Sequence, residues 1–205
     1  MKTTSFEKSI ILDAKKYVHE MLKQDTSGHD YFHIERVYEM AKFLTTGLEV
    51  DLFVVELSSL LHDLDDPKIS KKGSKFVFDF IDPLLINEDR KRHIYEVISN
   101  MSYSKHKEGK EVLSLEGKIV QDADRLDAIG AIGIARCFAY GGSKSRPIYQ
   151  NNKDDESSIA HFYQKLLLLK DLMYLEKSRK IAIDRTDFMQ LFLDRFYQDW
   201  NIKTN

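Results

Sequence analysis

In the stretch LLHDLDD, residues 60–66, two leucines are followed by one histidine and three aspartates. The two leucines are expected to belong to the core. The apolar pattern before it predicts a helix that is capped by Asp51, and Pro67 directly after it disfavours any continuation. The pair His62-Asp63 therefore lies at the predicted C-terminus of a helix, at the edge of the core. A buried ionisable group costs several kcal/mol unless it is paired or binds a metal. The rest of the chain must therefore supply partners for this stretch.

The remaining sequence predicts an all-α fold in one domain, residues 1–205. Apolar residues recur at three- and four-residue steps almost throughout, and few segments alternate as strands do. We expect a capping box at Thr4 and Glu7, and Asp30 as the cap of a second helix. Two of the predicted helices start after Thr4 and after Asp51. The others cover about 31–44, 74–85, 87–101, 115–128 with a continuation to the glycines near 141, 158–175 and 178–200.

Bulk composition excludes several classes of protein. The 205 residues include 31 basic and 33 acidic side chains, so the formal charge of -2 gives no basic field for nucleic acid. The apolar runs are far shorter than the roughly 18 residues of a membrane span. One cysteine and an N-terminus without an apolar leader pattern predict a cytoplasmic protein without disulfides.

Two further ionisable residues lie on predicted apolar helix faces. His33 shares a face with Val37 and Met40, and Asp122 falls in the middle of a stripe that includes Ile119 and Leu126. A lone histidine on such a face is usually a hydrogen-bonded core residue. A buried carboxylate, in contrast, must shift its pKa, pair with a cation or bind a metal.

Taken together, His33, His62, Asp63 and Asp122 form a candidate metal site from three helices. Two imidazoles and two carboxylates balance a divalent charge and leave coordination positions open for water and substrate. The alternative is a set of unrelated helix-terminal charges, in which Asp63 pairs with Arg36.

This ordered pattern resembles the HD superfamily of metal-dependent phosphohydrolases, in particular a bacterial branch that includes nucleotide pyrophosphohydrolases. The resemblance covers most of the chain and includes an extended motif around the last acid. The matching segments are GHDYFHIERV (28–37), SLLHD (59–63), QDADRLDAIGAIG (121–133), HFYQKLLLLKDLMY (161–174) and FLDRFYQDW (192–200).

The resemblance implies an HD-domain helical bundle with a metal-binding core at about 25–135 and additional C-terminal helices at about 157–201. It implies one divalent ion held by His33, His62, Asp63 and Asp122. Mixed nitrogen and oxygen ligands suit several metals, of which we favour manganese over iron, cobalt, nickel, zinc or magnesium.

Four further residues are assigned roles in catalysis and substrate binding. Asp66 lies one helical turn beyond Asp63 if the helix continues, where it would orient the attacking water, whereas Asp65 would project about 100° away. Arg125, Lys144 and Arg146 are the candidate phosphate-binding cations.

The predicted function is hydrolysis of phosphoanhydride or phosphoester bonds in a small nucleotide, with (deoxy)nucleoside triphosphate pyrophosphohydrolase as the specific activity. A guanosine alarmone hydrolase would use the same metal ligands. A non-enzymatic nucleotide-binding HD module is the alternative from a different class. A homodimer is one assembly that the sequence leaves open.

Overall fold

The structure, a computed structural model, describes residues 3–23, 30–65, 74–101, 114–151 and 155–201. Across these ranges the chain forms α-helices, one 3-10 helix and no strand, which confirms the all-α prediction. The elements are α1 (Ser5–Leu22), α2 (Tyr31–Leu44), α3 (Leu52–Leu61), α4 (Phe76–Ile81), α5 (Glu88–Ser99), α6 (Leu115–Asp127), α7 (Gly130–Ser143), α8 (Ser158–Gln164), the 3-10 helix Leu166–Leu172 and α9 (Glu176–Trp200).

The predicted helix caps explain where the first three helices begin. Thr4 and Glu7 form a complete capping box on α1. The Asp30 carboxylate accepts the backbone N–H of His33 at 2.9 Å, and Asp51 caps α3. Each carboxylate or hydroxyl satisfies an N–H group that has no partner within its helix.

The described residues fall into two compact units, Met1–Asp124 and Arg125–Asn205. In the first unit, α3 packs against α1, α2 and α5. Every residue of α3 from Phe53 to Leu61 is buried, including the polar Glu56, Ser58 and Ser59. The single-domain assignment made from the sequence stays a prediction.

A network of charged side chains joins three helix N-termini in the first unit. Arg90 of α5 donates to the Asp51 carboxylate at 2.7 and 3.2 Å and also pairs with the buried Glu7. Burial raises the pKa of Glu7, but hydrogen bonds from Thr4 and Arg90 outweigh it and lower that pKa overall. The network therefore keeps the Glu7 carboxylate charged.

In the second unit, α9 packs against α7 and the 3-10 helix, and α8 packs against both of these elements.

Two predicted helices of this unit differ in the structure. The continuous helix predicted beyond residue 128 breaks, because Ile129 is extended and Gly130, the first residue of α7, has a φ of 77°. The helix predicted over 158–175 is a short α8 followed by the 3-10 helix.

Cys137 of α7, the chain's one cysteine, is buried, with its Sγ 3.5 Å from the carbonyl oxygen of Ser158. Burial raises the pKa of its thiol to about 11, although Arg146 opposes the shift. None of the described helices combines the length and apolarity of a membrane span.

Candidate metal centre

Three helices of the first unit bring two histidines and two aspartates together. His33 lies in the first turn of α2, His62 and Asp63 follow the last residue of α3, and Asp124 lies near the end of α6. One ligand atom from each of His33, His62 and Asp124 lies within 4.8 Å of the others. We call His33, His62, Asp63 and Asp124 the H2D2 cluster.

Within the H2D2 cluster, both histidines direct their Nε2 atoms toward the carboxylates. His33 Nε2 lies 3.3 Å from Asp63 Oδ2 and 3.6 Å from Asp124 Oδ1. His62 Nε2 lies 3.4 Å from Asp63 Oδ1 and 3.8 Å from Asp124 Oδ1. These separations exceed the common N–H···O range of about 2.7–3.2 Å.

The same separations are close to those of atoms that share a metal. Ligand atoms about 2.1 Å from one ion stand about 3.0 to 3.4 Å apart at octahedral or tetrahedral angles. Two of the four distances fall in that interval and two exceed it slightly. The donor set and its spacing therefore fit a divalent metal ion.

Burial within the cluster differs between histidines and acids. The side chains of His33 and His62 are 0% and 2% exposed, whereas those of Asp63 and Asp124 are 13% and 35% exposed. Solvent therefore reaches the cluster from the carboxylate side, and a water molecule or a substrate would approach there.

The orientation of His62 is held by its own helix. Its Nδ1 lies 2.9 Å from the backbone carbonyl oxygen of Ser59, one turn earlier. Because a carbonyl only accepts, Nδ1 carries the hydrogen, and a neutral ring then presents the Nε2 lone pair to the cluster. A backbone partner of this kind is typical of metal-binding histidines.

The electrostatics of the cluster favour a bound cation. Burial alone would lower the pKa of His62, but the carboxylates of Asp63 and Asp124 outweigh it and raise that pKa to about 9. Burial would raise the pKa of Asp124, but His62 and His33 together lower it. The two carboxylates thus hold positive charge at the position where a metal ion would supply it.

The structure brings three of the four predicted ligands together, and the acid of α6 that lies beside both histidines is Asp124. Asp122 is fully buried on α6 and lies two positions before Asp124. Two positions on an α-helix correspond to about 200°, so the two carboxylates leave the helix on nearly opposite sides. The metal site proposed below therefore contains Asp124 in place of Asp122.

The predicted catalytic residue, Asp66, lies outside the described residues. Its inferred position was conditional on a continuing helix, and α3 ends at Leu61 with a turn over residues 62–65. Asp65 lies in that turn, and its carboxylate accepts backbone N–H groups of Phe76 and Val77. Asp65 is therefore bonded to the start of α4 rather than pointing into solvent.

The three predicted phosphate-binding cations belong to the second unit. Arg125 is buried, donates to the backbone carbonyl of Leu172, and lies over the Tyr174 ring at 5.3 Å. These contacts favour an internal structural role for Arg125. Lys144 follows the C-terminus of α7, where its backbone N–H is bonded to helix carbonyls. Substrate binding by Lys144 and Arg146 stays a prediction.

Comparison with known proteins identifies the family of the chain. A family model described as HD domain matches residues 30–129. The uncharacterized protein YpgQ of Bacillus subtilis is 39% identical over 189 residues, which cover 90% of this chain and 91% of YpgQ.

Solved structures extend the similarity to the fold. The crystal structure of Bacillus subtilis YpgQ in complex with ADP matches with a TM-score of 0.79 at 36% identity, over 95% of this chain and 96% of that chain. An HD-superfamily hydrolase from Bacillus thuringiensis matches with a TM-score of 0.77 at 40% identity, over 96% of this chain and all of that chain. Since sequence and structure agree over almost the full length, this chain belongs to the HD superfamily of hydrolases.

Proposed function

We propose that this protein is a metal-dependent phosphohydrolase that cleaves phosphoanhydride or phosphoester bonds in nucleotides. The observation that carries the proposal is the H2D2 cluster, whose donor types, spacing and access from the carboxylate side suit a catalytic divalent ion. The ADP bound to YpgQ supports a nucleotide as the substrate class. A (deoxy)nucleoside triphosphate, split into monophosphate and pyrophosphate, is the specific substrate that we propose.

The ligands of the proposed metal site are His33, His62, Asp63 and Asp124, and manganese is the favoured ion. When bound, such an ion polarises a phosphoryl oxygen and lowers the pKa of water. The residues of the chain hold and orient the reacting groups. Ser59 fixes the His62 ring through Nδ1, and the partly exposed Asp124 lies at the side from which substrate enters.

We also propose that Asp66 accepts a proton from the attacking water. Replacement of Asp66 by Asn keeps the size of the side chain but removes the base. We expect metal affinity to stay near wild type and kcat to fall about 100- to 10,000-fold, the usual contribution of a general base. Titration with manganese, together with steady-state kinetics, separates the two effects. A variant with wild-type kcat would exclude Asp66 as the base.

The central experiment identifies products. Purified protein with manganese is offered nucleoside triphosphates, deoxynucleoside triphosphates and a guanosine 3′-diphosphate alarmone, and the products are separated by anion-exchange chromatography. We expect monophosphate and pyrophosphate from a triphosphate, and loss of both in His62→Ala. Release of pyrophosphate from the 3′ position alone would favour the alarmone hydrolase. Metal-bound protein that is inert toward every substrate would favour a binding module instead.

A further inference from the structure

We infer that Asp65 is a positioning residue for the candidate metal centre, and that it acts on Asp63 through the N-terminus of α4. This inference rests on the proposed function only in treating the H2D2 cluster as a metal site. Asp65 is not a ligand in the proposed site. Its carboxylate instead holds the end of the turn that carries His62 and Asp63.

The Asp65 carboxylate caps a helix that has no cap of its own. Its Oδ1 accepts the backbone N–H of Phe76 at 2.8 Å, and its Oδ2 accepts that of Val77 at 3.3 Å. Lys75, at the N-cap position of α4, makes no side-chain cap. Two N–H groups of the first turn of α4 are therefore satisfied by a residue ten or more positions earlier in the chain.

The backbone carbonyl of Phe76 is hydrogen-bonded to α1. The Tyr17 hydroxyl donates to the Phe76 carbonyl oxygen at 3.3 Å, and the Tyr17 ring packs 5.1 Å from the ring of Phe80. Asp65 and Tyr17 thus contact the N–H and the carbonyl of the same residue. This arrangement connects the turn after α3 to α1, which itself packs against α3.

The position of Asp65 makes this connection relevant to the metal site. Asp65 lies two residues after Asp63, whose two carboxylate oxygens approach the two histidines at 3.3 and 3.4 Å. The turn has left the helical path, so α3 alone does not determine the orientation of Asp63. The bonds from Asp65 to α4 restrain the turn on its other side.

A competing explanation is that Asp65 only adds negative charge near the metal. Three variants separate the two explanations. Asp65→Ala removes both charge and cap. Asp65→Asn removes the charge but keeps one oxygen that can accept the Phe76 N–H, the shorter of the two bonds, while its amide nitrogen cannot accept from Val77. Tyr17→Phe changes no charge and removes only the bond to Phe76.

The experiment measures the dissociation constant of manganese by calorimetry on the full-length protein. We expect Asp65→Ala to weaken binding by about tenfold, at the lower end of the range for partners of metal ligands. Asp65→Asn should weaken binding clearly less than Asp65→Ala, because it keeps the bond to Phe76. Tyr17→Phe should weaken binding measurably, and the double variant Asp65→Ala, Tyr17→Phe should be weakened less than the product of the single effects, because both act through Phe76.

A matched control removes a cap elsewhere in the same unit. Asn87 caps α5 by accepting the N–H of Asp89 at 2.7 Å, so Asn87→Ala loses a similar interaction without touching the turn. Manganese affinity in Asn87→Ala should equal that of wild type. The inference would be overturned if Asn87→Ala lost as much manganese affinity as Asp65→Ala. It would also be overturned if Asp65→Asn and Asp65→Ala weakened binding equally, or if Asp65→Ala left the affinity unchanged.

Two further outcomes keep the test decisive. Should Asp65→Ala fail to fold, the inference is judged on Asp65→Asn and Tyr17→Phe, and wild-type affinity in Tyr17→Phe then overturns it. Wild-type protein that binds no manganese would instead overturn the proposed metal centre. The failure of the inference and that of the proposed function are therefore distinguishable.

Discussion

At the scale of single residues, Asp122 and Asp124 show where helical periodicity stops being informative. Asp122 was chosen because it falls in an apolar stripe, but α6 is buried on most of its surface, including Gln121 and Ala123. A helix that is buried nearly all round has no single inward face. The acid that reaches the histidines is the more exposed one. The same argument from an apolar face was informative for His33, which lies beside His62 and Asp63.

Substitution by asparagine distinguishes these two acids at nearly constant shape. We expect Asp124→Asn to weaken manganese binding by at least about tenfold, because a charged donor of the cluster is lost. Asp122→Asn should bind within about threefold of wild type. Calorimetric titration of both variants, with circular dichroism to verify folding, checks this expectation. The reverse ranking would restore Asp122 as the ligand.

Protonation of His62 leads to a second prediction at this scale. Its pKa of about 9 in the absence of metal means that the ring is protonated at pH 7.5, whereas a metal-bound imidazole must be neutral at the donor nitrogen. Manganese binding should therefore release about one proton per site, and affinity should rise about tenfold per pH unit until pH approaches the pKa. Calorimetry in buffers with different ionisation enthalpies measures the release. Binding heats that are independent of the buffer would contradict it.

At the scale of elements, the starts of helices were more predictable than their interruptions. Side-chain caps such as Thr4, Asp30 and Asp51 are local signals and were predicted correctly. The break before α7 was missed because apolar spacing continues through it, whereas the backbone leaves the helical path at Ile129, which is extended, and at Gly130, whose φ is positive. The short 3-10 helix was missed for a related reason, since a run of four leucines is compatible with a repeat of 3.0 or 3.6 residues.

Two glycines of α7 provide a prediction with an internal control. A Cβ at Gly133 would overlap the backbone carbonyl of Ala128, whereas a Cβ at Gly142 would meet no atom within 4 Å. We expect Gly133→Ala to destabilise the protein by about 1–3 kcal/mol through overpacking. Gly142→Ala should be neutral or stabilising by up to about 1 kcal/mol. Urea denaturation compares the two, and equal effects would show that the close approach at Gly133 is absent.

At the scale of the whole molecule, some contacts join segments that are distant in the sequence. Local sequence patterns do not reveal these contacts. Arg90 meets Glu7 and Asp51 across three helices, and Asp65 meets Phe76 across a connection of ten residues. Neither pairing follows from a periodic pattern, because each depends on how the helices pack. The all-α class and the HD family could therefore be predicted, whereas the bonds that stabilise the turn beside the cluster could not.

Stability of the fold should depend on pH through a buried acid of α3. Burial raises the pKa of Glu56 from 4.5, although a hydrogen bond from Tyr38 at 3.2 Å and nearby lysines oppose the shift. The unfolded chain then ionises first, so wild type loses stability as pH rises from about 4.5 to the raised pKa. Glu56→Gln removes this loss and should gain stability relative to wild type with increasing pH.

Urea denaturation from pH 4 to pH 7 measures the difference in stability between Glu56→Gln and wild type. The exposed Glu49→Gln, in the connection between α2 and α3, is the control, and its difference from wild type should not follow the same trend. A difference between Glu56→Gln and wild type that is constant with pH would show that Glu56 titrates normally in the folded protein.

The burial of Cys137 also makes the chain suitable for spectroscopic labelling. Its thiol is buried and is almost entirely protonated at neutral pH, because its pKa is about 11. Thiol reagents should therefore react with an engineered surface cysteine without removal of any native residue. A nitroxide introduced in place of the exposed Phe43 lies on the same helix as His33. Paramagnetic broadening of its spectrum would then report the arrival of manganese independently of turnover.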